Sequence, residues 1–254
     1  VFNRGRRPNA FPAAVEQLVG DRDSSDLKAL EGREWDVCID NPTSVPFWVR
    51  DAGKVLAGKV GPYIFIPTIS VYADTSKPGM DEDAAVAQYE GEDAMAETMD
   101  GMRANMALYG PLKALSEREA QKQFPGQATI IRPGLIVGPG DETDRFSYWP
   151  LRLDRGGEVL APGRHRAHVD ARLAPLFKLF AGGPIGSGRQ WVSWIHVDDV
   201  AGAVMHVLDG ATAGPVNAVA AGCGATVPRW PMQRISSADA TKVKASTAIA
   251  IGAV

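Results

Sequence analysis

Cysteine is nearly missing from this chain: Cys38 and Cys223 are the two present in 254 residues, and they stand far apart. Such a pair supports neither a disulfide framework nor a CxxC metal or redox motif, and it suits a reducing, cytoplasmic setting. Excess positive charge is missing too. The formal net charge is -3 and the arginines are scattered, so no basic stripe is offered to a phosphate backbone, and nucleic acid is not an expected partner. No apolar run is long enough to span a bilayer and no signal peptide is visible, so a membrane is not expected either. Histidine is scarce. His165 and His168 lack Cys or carboxylate neighbours in a metal-ligand arrangement, and no metal site is expected.

No G-x-x-G-x-x-G sequence opens a helix anywhere in these residues. In "GGPIGSGRQ", Gly183 to Gly188 has P-loop spacing, but Arg189 and Gln190 stand where Lys and Ser/Thr belong, so the stretch reads as a loop. What is present is core material: 45% of the residues are hydrophobic, enough for one α/β domain or one domain with a small lobe. Short apolar runs alternate with amphipathic stretches, the pattern of a parallel sheet wrapped by helices. "VEQLVGD", "WDVCID", "YIFIPTISVY" and "ATIIRPGLIV" read as strands, apolar nearly throughout because both faces are covered. "SSDLKALEG", "VRDAGKVLAGKV" and "RANMALYGPLKALSEREAQKQF" read as helices. His196, with Asp198 and Asp199, starts a further helix whose dipole the acids complement. Trp191 and Trp194 read as packing rather than as a sugar platform.

Tyr109 and Lys113 in "YGPLK" lie four residues apart, which places them on one helix face. That spacing alone is common. Its interest comes from the preceding strand, whose carboxyl end carries Thr68 and Ser70 at the edge where open α/β sheets place their ligand crevice. A lysine beside a tyrosine favours the phenolate, and a neighbouring hydroxyl can share the proton.

Together, "FIPTISVY", "YGPLK", "IIRPGLIVGPGD" and "WIHVDDVAGAV" resemble the extended short-chain dehydrogenases/reductases, the NAD-dependent epimerase/dehydratase family. The resemblance implies a Rossmann-like doubly wound parallel sheet with a small irregular carboxyl-terminal substrate lobe. It selects Thr68 over Ser70 as the catalytic hydroxyl, makes Tyr109 the general acid/base, and gives Lys113 the nicotinamide ribose and a role in activating the tyrosine. Pro133 to Val137 would lie against the nicotinamide and the substrate. In "GDRD", Asp21 and Arg22 would border the adenine; in "IDNPTS", Asp40, Asn41 and Pro42 would pass over the pyrophosphate and ribose. At the end of the family's second strand, where an acid would receive the ribose hydroxyls of NAD, this chain has Asn3 and Arg4, with Arg6 following. Arginine there accommodates a 2'-phosphate, so NADP is expected in preference to NAD.

The family's first strand and glycine-rich turn have no counterpart before Val1, so the resemblance implies a sheet truncated at its amino end with its central position vacant. A vacancy there predicts poor dinucleotide binding and reduced stability. The domains expected are residues 1–150 for the incomplete nucleotide-binding part, 151–220 for the substrate lobe and returning elements, and 221–254 for a poorly defined tail. The functional expectation is an NAD(P)-dependent oxidoreductase or epimerase/dehydratase acting on a small carbonyl or sugar-like molecule. The alternative is a non-catalytic or truncated member that cannot hold the dinucleotide. A homodimer is left open.

Overall fold

A computed structural model gives the fold and describes residues 1–6, 11–41, 45–76, 79–141, 193–210, 213–220 and 248–252. The strands are β1 (Phe2–Asn3), β2 (Leu18–Val19), β3 (Val37–Asn41), β4 (Tyr63–Phe65), β5 (Ala128–Pro133), β6 (Leu135–Val137), β7 (Trp194–His196), β8 (Gly214–Ala218) and β9 (Ala248–Gly252). The helices are α1 (Pro46–Leu56), α2 (Met99–Ala104), α3 (Tyr109–Gln123) and α4 (Val197–Asp209). Seven strands form one sheet in the order β2-β1-β9-β3-β4-β5-β8, all parallel, while β6 and β7 pair apart from it. This is the parallel sheet wrapped by helices that the alternation predicts, and the Rossmann-like doubly wound fold that the resemblance implies. No described helix is long and apolar enough to cross a membrane.

Alternation along the strands explains the two layers. Tyr63 and Phe65 of β4 join Cys38 of β3 and Ile130 of β5 in a core shared with Ala52 and Leu56 of α1 and Phe124 after α3. Ile64, Ile66, Val37 and Ile131 point the other way, into a core with Val200, Val204 and Val207 of α4. Successive side chains of a strand face opposite sides, so a strand with helices on both faces needs apolar residues at every position. Tyr63 stacks on Phe124 with ring centroids 3.9 Å apart.

The structure differs from the sequence expectation where pairing is long-range. The central position expected to be vacant is filled by β9, from the segment expected to be a poorly defined tail. It pairs with β3 through five residues, from Val37–Ala248 to Asn41–Gly252, and with β1 through Phe2–Ile251. "AIAIG" is five residues long, and its partners lie more than two hundred positions away, so no local pattern announces it. In "SSDLKALEG" only Lys28–Leu30 turns helically, as a single tight 3-10 turn. The preceding residues close instead on the Asp21–Asp26 bridge, with Ser25 at φ 56. "ATIIRPGLIV" splits at Gly134 into β5 and β6, and "YIFIPTISVY" ends as a strand at Phe65, two residues before Pro67. A Cβ on Gly134 would stand 2.8 Å from the Ser193 carbonyl oxygen, so this crossing needs glycine. Of the expected substrate lobe, residues 151–192 lie outside the described residues, as do Gly183 to Gly188, His165, His168 and Trp191.

Candidate active site

The carboxyl ends of β3, β4 and β5 stand side by side, with Asp40 opposite Phe65 and Phe65 opposite Ile130. Beyond β4 the chain turns through Ile69–Val71, and Thr68 caps that turn: its Oγ1 accepts from the Ser70 N–H at 3.1 Å and donates to Ser70 Oγ at 3.2 Å. Thr68 and Ser70 are therefore one hydrogen-bonded unit at the strand end.

Helix α3 begins at Tyr109, after a turn that Asn105 caps by accepting from the Ala107 N–H. Gly110 sets how near the helix comes. A Cβ there would stand 2.5 Å from the Ser70 carbonyl oxygen, so only glycine lets the first turn of α3 rest on the turn that holds Thr68 and Ser70. Tyr109 is half-buried and packs against the cluster of Val45, Trp48, Met99, Met102 and Leu112. One helical turn on, Lys113 is 2% exposed, with its ammonium 5.7 Å from the centre of the Tyr109 ring. Burial pushes the Lys113 amine down to about 8, against the upward pull of Asp40 and Glu117, while Arg22 adds to the lowering. Thr68, Tyr109 and Lys113 thus lie on adjoining elements that a close backbone contact brings together.

The residues expected around the nucleotide separate into two groups. Asn3 ends β1 and is buried, its Oδ1 accepting from the Gly5 N–H at 2.8 Å and from Gln17 Nε2 at 2.9 Å. Arg4 and Arg6 stand 4.0 Å from Asp23 and 3.6 Å from Asp21, so Asn3, Arg4, Arg6 and Asp21 gather where β1 and β2 end. Arg22 and Asp40 point inward instead. The guanidinium clasps the carboxylate at 2.7 and 3.1 Å and donates to the Trp48 carbonyl at 2.8 Å, while the Tyr63 hydroxyl donates to Asp40. Asp40 is wholly buried, and its charge is met within the core. Asn41 is exposed at the end of β3, and Pro42 lies outside the described residues. Pro133 ends β5 opposite Ala218, and Val137 ends β6 opposite His196. His196 caps α4, accepting from the Asp198 N–H at 3.3 Å, with Asp198 and Asp199 in the first turn as the dipole argument expects. No metal-holding group of His, Cys, Asp or Glu occurs among the described residues.

The family model for the NAD dependent epimerase/dehydratase family matches residues 57–221. The chain belongs to that family. Epimerase family protein SDR39U1 of Homo sapiens is 41% identical over 94 residues, which is 36% of this chain and 23% of that protein. The chloroplastic SDR39U1 homolog of Arabidopsis thaliana is 55% identical over 38 residues, 15% of this chain and 11% of its own. The matches therefore span less than a quarter of either relative's length. Among solved structures, the Bordetella bronchiseptica enzyme WbmG in complex with NAD has a TM-score of 0.57 at 12% identity, covering 86% of this chain and 63% of that one. That likeness is one of fold.

For an epimerase/dehydratase-family dinucleotide, the fit can be tested on the donors present. Arg4 and Arg6 meet their acidic neighbours at ion-pair rather than hydrogen-bond distances, so their N–H forks keep capacity for a phosphate. Their position at the end of β1 suits an anionic group there. The sequence reading missed the residues that tie α3 to the sheet. Arg132 of β5 grips Glu117 of α3 at 2.9, 3.2 and 2.7 Å and donates to Tyr72 Oη at 3.0 Å. Tyr72 in turn donates to Asn217 of β8 at 2.6 Å. One signal was available: Tyr109, Lys113 and Glu117 recur every four residues on α3.

Proposed function

We propose that this chain is an NAD(P)-dependent oxidoreductase or epimerase/dehydratase in which Thr68, Tyr109 and Lys113 serve proton transfer at a small carbonyl or sugar-like substrate. The observation that carries this reading is the buried Lys113 ammonium beside Tyr109, on a helix that Gly110 lets rest against the Thr68–Ser70 turn. Tyr109 gives its proton to the substrate oxygen or takes one from it, and the positive charge of Lys113 stabilises the phenolate that remains. Thr68 hydrogen-bonds the same oxygen and orients it. Lys113 also holds the nicotinamide ribose hydroxyls. The dinucleotide, when bound, supplies a hydride or accepts one.

Arg4, seconded by Arg6, receives a 2'-phosphate, and no carboxylate ends β1 to prefer a free ribose hydroxyl, so NADP binds in preference to NAD. The fold's likeness to WbmG, itself solved with NAD, supports a nicotinamide dinucleotide as the cofactor. The test is a fluorescence titration with NADPH and NADH, followed by NADPH oxidation over a panel of aldehydes, ketones and keto-sugars. Arg4→Ala is expected to weaken NADPH and leave NADH unchanged. Tyr109→Phe is expected to lower turnover at least about a hundredfold, the scale of a lost general acid/base. Absence of binding by either cofactor to the folded chain would favour a non-catalytic family member, and unchanged turnover in Tyr109→Phe would remove Tyr109 from the mechanism.

A further inference from the structure

Two buried carboxylates favour the charged form of Lys113. Asp40, on β3, is clasped by Arg22 and Tyr63. Glu117 lies one turn further along α3, is 4% exposed, and is gripped by Arg132 through three contacts of 2.7 to 3.2 Å. Arg132 is in turn anchored by the Tyr72 hydroxyl at 3.0 Å and the Glu82 carbonyl at 3.3 Å. The Glu82 carboxylate accepts from the Asn217 N–H at 2.7 Å. A single chain of hydrogen bonds, charge-assisted as far as Tyr72, therefore runs from the face of α3 that carries Tyr109 and Lys113, through β5, to the residue that follows the Ile69–Val71 turn and on to β8. Helix and turn are the two elements whose mutual placement the proposed chemistry needs.

We propose that Glu117, held by Arg132, is a positioning residue for Lys113. It acts in two ways. The Glu117–Arg132 clasp fixes the height of α3 against β5, which sets where Tyr109 and Lys113 stand over the Thr68 turn. The Glu117 carboxylate also supplies half of the negative charge that opposes burial of the Lys113 ammonium; the groups facing that ammonium are Asp40 and Glu117 against Arg22, with the Tyr109 ring alongside. Burial pushes Glu117's own pKa above the ordinary carboxylate value, and the guanidinium of Arg132 bonded to it opposes that rise. Without Glu117, Lys113 keeps Asp40, the larger of the two opposing charges, and loses its proton at lower pH.

This inference rests on the proposed role of Lys113, but its test does not need activity. The 13Cε and 15Nζ resonances of Lys113, assigned by their loss in Lys113→Met, are followed against pH in the full chain. In the unmodified protein the midpoint is expected near 8. Glu117→Gln is expected to weaken proton binding at Lys113 at least about tenfold, the effect of removing one nearby opposite charge. An unmoved midpoint in a folded Glu117→Gln protein overturns it. If Glu117→Gln alone does not fold, the comparison is made in an Arg132→Gln background, where adding Glu117→Gln removes the carboxylate charge without leaving a guanidinium unpaired, and the midpoint must again fall. NADPH titration separates the two readings. A shifted midpoint without NADPH binding keeps the positioning role and sinks the cofactor reading; an unmoved midpoint with NADPH binding does the reverse.

Discussion

On one side of β9, strands β3, β4, β5 and β8 pair with one another over three to five residues each, and Tyr63, Ile64 and Phe65 are wholly buried. On the other side, β1 and β2 are two residues long, β1 meets β9 through one residue pair, and Val19 is 59% exposed. The first region carries Thr68, Tyr109 and Lys113; the second carries Asn3, Arg4 and Arg6. The site half has its order from its own ladders and from cores on both faces. The other, the proposed nucleotide half, takes its order from ties to its neighbour: the β9 ladder, the apolar packing of Phe2, Leu18 and Leu27, and two polar bridges. Those bridges are Arg22 to Asp40 and Ser25 to Asp51, both running from the loop after β2 into the site half. Cutting the ties one at a time measures how much order is borrowed.

The largest effect is expected from Arg22→Ala. It leaves Asp40 buried at 0% exposure with the Tyr63 hydroxyl still donating to it but without the guanidinium that clasps it, a situation that costs about 3 to 5 kcal/mol when one partner of a buried pair is removed. Chemical denaturation gives the loss, and hydrogen exchange should show residues 2–3 and 18–19 losing protection before residues 63–65. Arg22→Met combined with Asp40→Asn removes both charges and leaves Tyr63 an acceptor. That variant should recover at least half of the lost stability. Uniform loss of protection across both regions would mean that the halves unfold as one unit.

A smaller loss is expected from Ala250→Pro in β9. Ala250 stands opposite Ile39 in the β3–β9 ladder, and proline in an interior strand deletes a ladder donor. One unsatisfied buried group costs on the order of 1 to 3 kcal/mol. Exchange at residues 37–41 and 2–3 should rise together, while residues 128–131 keep their protection. An unchanged denaturation midpoint would contradict a central position for β9.

The same contrast explains what could be read in advance. In the site half, local rules suffice: Tyr109 and Lys113 share a helix face because of a four-residue spacing, and β4 and β5 are apolar at successive positions because helices cover both faces. The position of Thr68 follows from its place after β4. In the nucleotide half, the decisive contacts are distant. β9 joins partners more than two hundred residues away, and nothing in five small and aliphatic residues says which strand they will meet. Arg22 and Asp40 show another limit. Charged residues beside a strand end read naturally as ligands for a nucleotide, whereas here each is the other's ligand inside the core. Glu117 is paired inside the protein with Arg132 of β5, a contact between two elements that the spacing along α3 does not state.

The smallest expected effect belongs to the Ser25–Asp51 bridge, and pH gives it a signature. Asp51 of α1 is buried, which by itself would raise its carboxyl, but bonds from Arg50 at 2.9 Å, Lys54 at 2.7 Å and Ser25 Oγ at 2.7 Å hold it well below the ordinary carboxylate range. A carboxyl whose pKa is lower in the folded than in the unfolded chain binds fewer protons when folded. Its contribution is therefore complete above the unfolded value of about 3.9 and is lost as pH falls from there towards the folded value. Lys54 is 63% and Arg50 35% exposed, so water and salt weaken their share, and the bridge is worth about 1 kcal/mol at neutral pH. Asp51→Asn should cost that amount at pH 7, and urea denaturation at pH 7, 4 and 3 should show the two proteins converging as the pH drops. Ser25→Ala should cost a similar amount through one lost hydrogen bond, with weaker dependence on pH. In both variants the added exchange should fall on residues 21–27, where the nucleotide half meets α1, and leave β4 and β5 untouched. A stability difference between the parent and Asp51→Asn that stays constant from pH 7 to 3 would show that the carboxylate is not held by these partners, and that the loop after β2 is ordered by Arg22 alone.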